Sequence, residues 1–276
     1  MGKNRKAIFV VILSLFFFTS CVSYLKESKF FYSKGSELKR KYHMEKAYSA
    51  YKKAHEQACL QVKNKPSAQA YMMKGLSEIE LEMWDKAEKS FIKAFEYGFE
   101  KGEEWVEYIS LFSLALSMEE FGLEKSAADI YDYLLSKSRL KSVSMLSVKR
   151  YSEFVIQNAL DAEQDEKFDM LEKLLKKVRK LEQKDLSCGF YHYVESQVLS
   201  HMKLYWGSYE KAIMARELGL PTLEVLRDND NQIIFCYRVL KKELDEEEWE
   251  KFEFTYRKWT KKWGWQGPES PEWKRN

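Results

Sequence analysis

The stretch Ala68–Gly98, AQAYMMKGLSEIELEMWDKAEKSFIKAFEYG, holds two short amphipathic helices that close on each other. Tyr71 and Gly75 lie on the first. Trp84, Ala87, Phe91 and Ala94 follow at spacings of three, four and three, which keep them on one face of the second. Helices approach to an axial distance of about 8–10 Å only where small side chains sit at the crossing. Gly75 and Ala87 are the candidates for that crossing, with the aromatic rings as wedges around it.

The pattern recurs. With the middle alanine of the second helix taken as position 20, Ala47-Tyr51-Ala54, with Phe31 and Gly35 upstream, gives a unit beginning at Ser28. The opening stretch begins at Ala68. Ala127-Tyr131-Leu134, with Leu111 and Ala115 upstream, gives a third unit from Tyr108, so the first three starts are 40 residues apart. A looser fourth unit runs from Ser152 (Val155, Ala159, Phe168, Leu171, Leu175, Val178), and a fifth from Tyr193 (Gly207-Ser208-Tyr209, Ala212). Taken alone, the fourth reads equally as plain amphipathic helices.

A small residue after the first large one, then A-x3-F-x2-A, resembles the tetratricopeptide repeat (TPR), whose unit is 34 residues long. About six residues per unit are extra here. The resemblance covers residues 28–221 and implies an all-α superhelix of about five helical hairpins, with the first helices lining a concave binding face. In that family the face is built from positions 2, 5, 9, 12 and 13 of each first helix. Those are Lys29, Tyr32, Ser36, Lys39 and Arg40, then Gln69, Met72, Leu76, Ile79 and Glu80, then Ile109, Phe112, Leu116, Glu119 and Glu120. The groove this implies runs from basic through apolar to acidic and suits a hydrophobic segment or helix of a partner. The apolar positions can equally pack between repeats.

Gly219-Leu220-Pro221 is a helix stop, and the array is expected to end there. Arg227-Asp228-Asn229-Asp230-Asn231 reads as a polar turn. Residues 222–276 then form a C-terminal cap and tail. Asp245 to Trp263 is one helix, with Glu246, Glu247 and Glu248 in its first turn and an aromatic stripe of Trp249, Phe252, Tyr256, Trp259 and Trp263. The stripe either covers the last repeat or meets a membrane interface or partner. Trp265 and Trp273, beyond it, are the stronger candidates for an exposed contact.

At the other end, Lys3, Arg5 and Lys6 precede an apolar run from Ala7 to Phe18 that only Ser14 interrupts. The run is short of the roughly 20 residues of a membrane span and matches a secretory signal. Phe18-Thr19-Ser20-Cys21 resembles the lipobox of bacterial lipoproteins, with Phe18 where the family usually has Leu. The resemblance implies cleavage after residue 20, acylation of Cys21, and a short lipidated tether over residues 21–27. An ordinary cleaved signal with a chance cysteine, or an uncleaved anchor, is the other reading. Acyl chains contribute about 0.8 kcal/mol per buried methylene, so two or three hold a chain firmly on a membrane.

Loss of residues 1–20 changes the charge from 46 Lys+Arg against 43 Asp+Glu to 43 of each, which leaves no case for a nucleic-acid partner. Only 11 Gly and 4 Pro in 276 residues favour long helices, and no strand pattern is present. The four histidines are scattered, with no H-E-x-x-H, and the chain has no glycine-rich phosphate loop and no G-x-S-x-G. Cys59, Cys188 and Cys236 form no C-x-x-C and read as small buried apolar residues. No enzyme, metal or cofactor signature emerges. The expectation is a lipid-anchored scaffold for protein partners in the bacterial cell envelope, on the periplasmic side of the outer membrane. An accessory of a transport system that binds a small apolar ligand is the alternative.

Overall fold

The computed structural model describes residues 23–275. The signal segment, Phe18 and Cys21 lie outside these residues. Among them the fold is all-α, built from TPR-like helical hairpins: α1 (Tyr24–Arg40), α2 (Met44–Asn64), α3 (Ala68–Glu80), α4 (Trp84–Tyr97), α5 (Glu104–Glu120), α6 (Glu124–Lys137), α7 (Lys141–Asp161), α8 (Gln164–Lys184), α9 (Gly189–His201), α10 (Tyr205–Leu218), α11 (Leu223–Glu243) and α12 (Glu246–Lys262). A 3-10 turn, Glu272–Arg275, follows. No helix among the described residues is long and apolar enough to cross a membrane. The described residues up to Ile130 form one compact unit and those from Tyr131 a second, so the division falls within α6. Ser23 caps α1 by accepting from Lys26 N at 3.3 Å, which places helix inside the stretch 21–27 expected to be tether.

The first two hairpins each close on a ring set against a missing side chain. A Cβ added to Gly35 would lie 2.7 Å from the Tyr51 ring, and one added to Gly75 would lie 2.7 Å from the Phe91 ring. Ala87, Phe91 and Ala94 are fully buried, as are Ala47, Tyr51 and Ala54 to within 2%. Gly75 therefore faces Phe91 itself, with Ala87 beside it. The turn inside each hairpin passes through one left-handed residue: Tyr42 (φ 59°), Glu82 (φ 59°) and Gly122 (φ 72°), at the same 40-residue step. Ser67 caps α3 through Ala70 N at 3.2 Å.

The second unit contains the α9/α10 hairpin, and its register differs from the sequence expectation by one helical turn. Its left-handed turn residue is Lys203 (φ 60°), and α9 starts at Gly189, not Tyr193. Ser208, Ala212 and Ala215, all fully buried, then occupy the places of Ala87, Phe91 and Ala94, and fully buried Ser196 takes the place of Gly75. The shift arises because four residues return a helix to almost the same face, so Ala212 fits either phase. In the correct phase Gly219 (φ 89°) matches Gly98 (φ 74°), the residue that ends α4. Gly189 is required sterically: a Cβ there would lie 2.4 Å from the Gly219 carbonyl oxygen and 2.5 Å from that of Ala215.

The expected polar turn at Arg227–Asn231 is helix, inside α11. Arg227, Asp228 and Asn231 are exposed on it, whereas Asn229 and Asp230 face inward. Asn229, fully buried, donates to the Ala212 carbonyl at 2.9 Å, and Asp230, also fully buried, takes both oxygens to Arg216 Nη1 at 2.8 and 2.9 Å. The chain thus continues past Pro221 with another helix packed on α10. Asp245 caps α12 through Glu248 N at 2.9 Å, and the aromatic stripe covers α10 and α11: the Phe252 ring lies 4.9 Å from Tyr209 and the Tyr256 ring 4.3 Å from Tyr237. Trp265 and Trp273 are not an exposed pair. Trp265 is 7% exposed, and Trp273 Nε1 donates to Asp230 at 2.8 Å. Arg216 is the reason: it pairs with Asp230 and with Glu272 at 2.7 Å, and its guanidinium lies 4.7 Å from the Trp263 ring, so the tail folds over it.

Two substitutions test this packing. Ala87→Leu should lower stability by about 1–3 kcal/mol through overpacking against a close neighbour helix. Gly189→Ala should cost at least as much, because carbonyl oxygens of the backbone cannot move aside as a side chain can. Both are read as a lower urea midpoint, and an unchanged midpoint for Gly189→Ala would sink the register given for α9/α10.

Candidate partner-binding surface

The first helices α1, α3 and α5 pack side by side in the first unit. Tyr32, Leu76, Ile79 and Ile109 come together there, half-buried, along the edge of a core that contains Phe91, Ala94 and Val106. The Tyr32 ring lies 5.5 Å from Tyr51, and burial, with the Glu80 carboxylate next, pushes its phenol up. Phe112 and Leu116 are half-buried on α5. Met72 departs from the expectation: at 1% exposure it belongs to the interior, in the core cluster that contains Ala58, Ala87, Phe91 and Val106. Lys39 Nζ reaches Glu80 Oε2 at 2.8 Å, while Arg40 stays exposed. The separation into a basic and an acidic end is therefore partly cancelled between the first two hairpins.

Behind this surface a buried carboxylate ties α2, α3 and α4. Glu78, fully buried, accepts from Ser90 Oγ at 2.6 Å and lies 3.2 Å from His55 Nε2 and 3.3 Å from Lys74 Nζ. The Cys59 thiol, 3.5 Å from the same ring nitrogen, and then Glu78 raise the His55 pKa to about 9. Cys59 and Glu78 both lie against Nε2. A nucleophilic triad needs them on opposite ring nitrogens so that the imidazole can pass a proton, and this arrangement holds charge instead. Cys59 is half-buried where full burial was expected, since its sulfur faces His55; Cys188 and Cys236 are buried, and all three are free thiols.

The second unit carries a cluster that the sequence reading missed. Oxygen and nitrogen atoms of Glu182, His192 and Glu195 lie within 4.8 Å of one another, in a geometry compatible with a metal ion. Lys211 Nζ is 2.8 Å from Glu182 Oε1 and 2.7 Å from Glu195 Oε2, and Arg179 Nε is 2.8 Å from Glu195 Oε1. Two carboxylates are thus matched by two cations, and the ammonium sits where a metal would. A divalent ion would have to displace Lys211 and leave excess positive charge, which burial penalises. His192, 1% exposed, is held towards its neutral form by burial. The one trace in the sequence is the spacing of His192 and Glu195 by three on a helix.

No family model and no curated protein matches the chain. Among solved structures, it is similar to YrrB, described as a TPR protein with an unusual peptide-binding site, at TM-score 0.40 and 17% identity over 72% of this chain and 89% of that one. It is also similar to the TPR2AB domain of yeast Sti1 in its pHSP90 complex, at TM-score 0.33 and 12% identity over 78% of this chain and 84% of that one. Both neighbours are TPR proteins. The hairpin geometry at Gly35–Tyr51 and Gly75–Phe91 is what carries the fold reading.

The His55 network has a measurable pH signature. His55 titrates near 6.5 in an unfolded chain and near 9 in the fold. Its stabilisation is therefore fully present below pH 6.5 and is lost as pH rises through about 9. The gap in urea midpoint between the native chain and His55→Gln should narrow steadily over that range; a constant gap would mean that the imidazole is neutral in the fold.

Proposed function

We propose that this chain is a membrane-tethered scaffold of the bacterial cell envelope, and that the surface of α1, α3 and α5 holds an apolar segment of a protein partner. The observation that carries this reading is the patch of Tyr32, Leu76, Ile79 and Ile109, half-buried and shared by three consecutive first helices. A contiguous apolar patch rimmed by charge, here Lys39, Arg40 and Glu80, is typical of a surface that meets another protein. The buried Glu78 network fixes α3 against α2 and α4, so the patch is presented on a braced support. The tether rests on the sequence alone: the apolar run Ala7–Phe18 followed by Phe18-Thr19-Ser20-Cys21.

Crosslinking in intact envelopes, followed by identification of the captured protein, tests both parts. Leu76→Glu with Ile79→Glu should remove the crosslinked partner while the chain stays folded; capture at the native level would rule this surface out. Cys21→Ser should abolish acyl labelling and leave uncleaved precursor, whereas unchanged labelling would remove the lipoprotein reading.

A further inference from the structure

A second surface lies on the other set of helices. Between α6 and α8 the second unit has a cavity of about 480 Å³ with an apolar floor of Leu135 and Leu181, and five lysines of α8 line it. They are Lys173, Lys176, Lys177, Lys180 and Lys184, at helical spacings that make one stripe. Three have partners close by: Lys173 with Asp169 at 2.5 Å, Lys176 with Glu172 at 3.0 Å, and Lys177 with Asp132. Lys180 and Lys184, exposed and four residues apart, carry no ion pair among the described residues. Tyr133, 45% exposed, stands at the Asp132 end of the groove.

The same unit carries a surface of matching chemistry on α12. Phe252 and Tyr256 are buried against α10 and α11, which turns the opposite face outward. That face presents Glu246, Glu250 and Phe254 at a spacing of four. Phe254 is 74% exposed, among the most exposed large apolar side chains described. Glu247 and Glu253 are matched on their own helix by Lys251 and Arg257, but Glu246 and Glu250 have no ion pair among the described residues. Both surfaces are left with two unmatched charges one turn apart, of opposite sign.

We infer that the groove between α6 and α8 is the docking site for α12 of a second copy of this chain. Antiparallel to α8, α12 sets Glu246 against Lys184 and Glu250 against Lys180, and Phe254 then falls toward Tyr133 and the apolar floor. The parallel arrangement carries Phe254 past the end of α8. Within one chain α12 is committed to α10 and α11, so a neighbouring molecule supplies it. A flat anionic membrane would meet the lysine rim and leave the floor uncovered, so a helix fits the groove better. Because the two surfaces differ, the contact is heterologous and joins molecules head to tail into rings or open chains.

Sedimentation velocity of the full-length chain in detergent tests this. At low salt the mean mass should rise with protein concentration, and at about 1 M salt, where the screening length is about 3 Å, it should fall to that of a monomer. Lys180→Glu with Lys184→Glu should be monomeric, as should Glu246→Lys with Glu250→Lys. Mixing these two variants should restore association, since each supplies what the other has reversed. All four positions are exposed, so thermal melts should match the native chain. The inference is overturned if the native chain is monomeric at low salt, if either reversed variant still associates, or if the mixture stays monomeric. It is equally overturned if the lysines bind anionic vesicles while the chain remains monomeric.

Discussion

The first two hairpins depend on an aromatic ring seated against a helix that lacks a side chain at the contact. Glycine within a helix costs about 0.5–1 kcal/mol, and full burial of a Phe contributes about 1.5–3 kcal/mol. The exchange favours the pair, provided the ring has nowhere else to go. At Gly75 and Gly35 it does not: Phe91 and Tyr51 are buried on all sides, flanked by alanines that bring the second helix equally close. In the α9/α10 hairpin the same close approach is made by Ser196 and Ala212, and the Ser208 hydroxyl donates to the Ser196 carbonyl at 2.8 Å. One geometry is kept while the chemistry that fills it changes.

Charged groups set the hairpins apart from each other. Glu78, Glu195 and Asp230 are each fully buried, and each is held by at least one cation from a neighbouring helix: His55, Arg179 with Lys211, and Arg216. Buried ion pairs add little net stability, but loss of one partner costs about 3–5 kcal/mol, so they select one arrangement of helices over its neighbours. These carboxylates occupy different places within their hairpins. A helix displaced by one repeat would therefore bury a charge without its partner.

The all-α fold and the first two hairpins were legible in the sequence because glycine, alanine and aromatic residues recur there at a fixed step. Legibility failed where the small residues are not distinctive. Serine at 196 and 208 carries no strong signal, and Ala212 fits two phases one turn apart, so the α9/α10 hairpin was misplaced. The run Arg227–Asn231 has the polarity of a turn, yet Asn229 and Asp230 point inward from a helix to Ala212 and Arg216. Trp265 and Trp273 failed for the complementary reason: their partners are up to 49 positions away and no local pattern reveals them. On the candidate surface, the residues picked by spacing, Tyr32, Leu76 and Ile79, are half-buried along one edge of the core. Spacing alone could not tell that Met72 is buried in the core.

The hold of Arg216 on the last residues has a consequence for how the protein breathes. A segment after the final helix ordinarily frays first, and its amides exchange with solvent almost freely. Here Glu272 and Trp273 share the buried guanidinium–carboxylate centre of α10 and α11, so releasing the tail exposes Arg216 and Asp230 together. Glu272 and Trp273 are thus drawn into the same cooperative unit as the helices they cover, and any opening of the second unit that begins there must bring water to the buried Arg216–Asp230 pair.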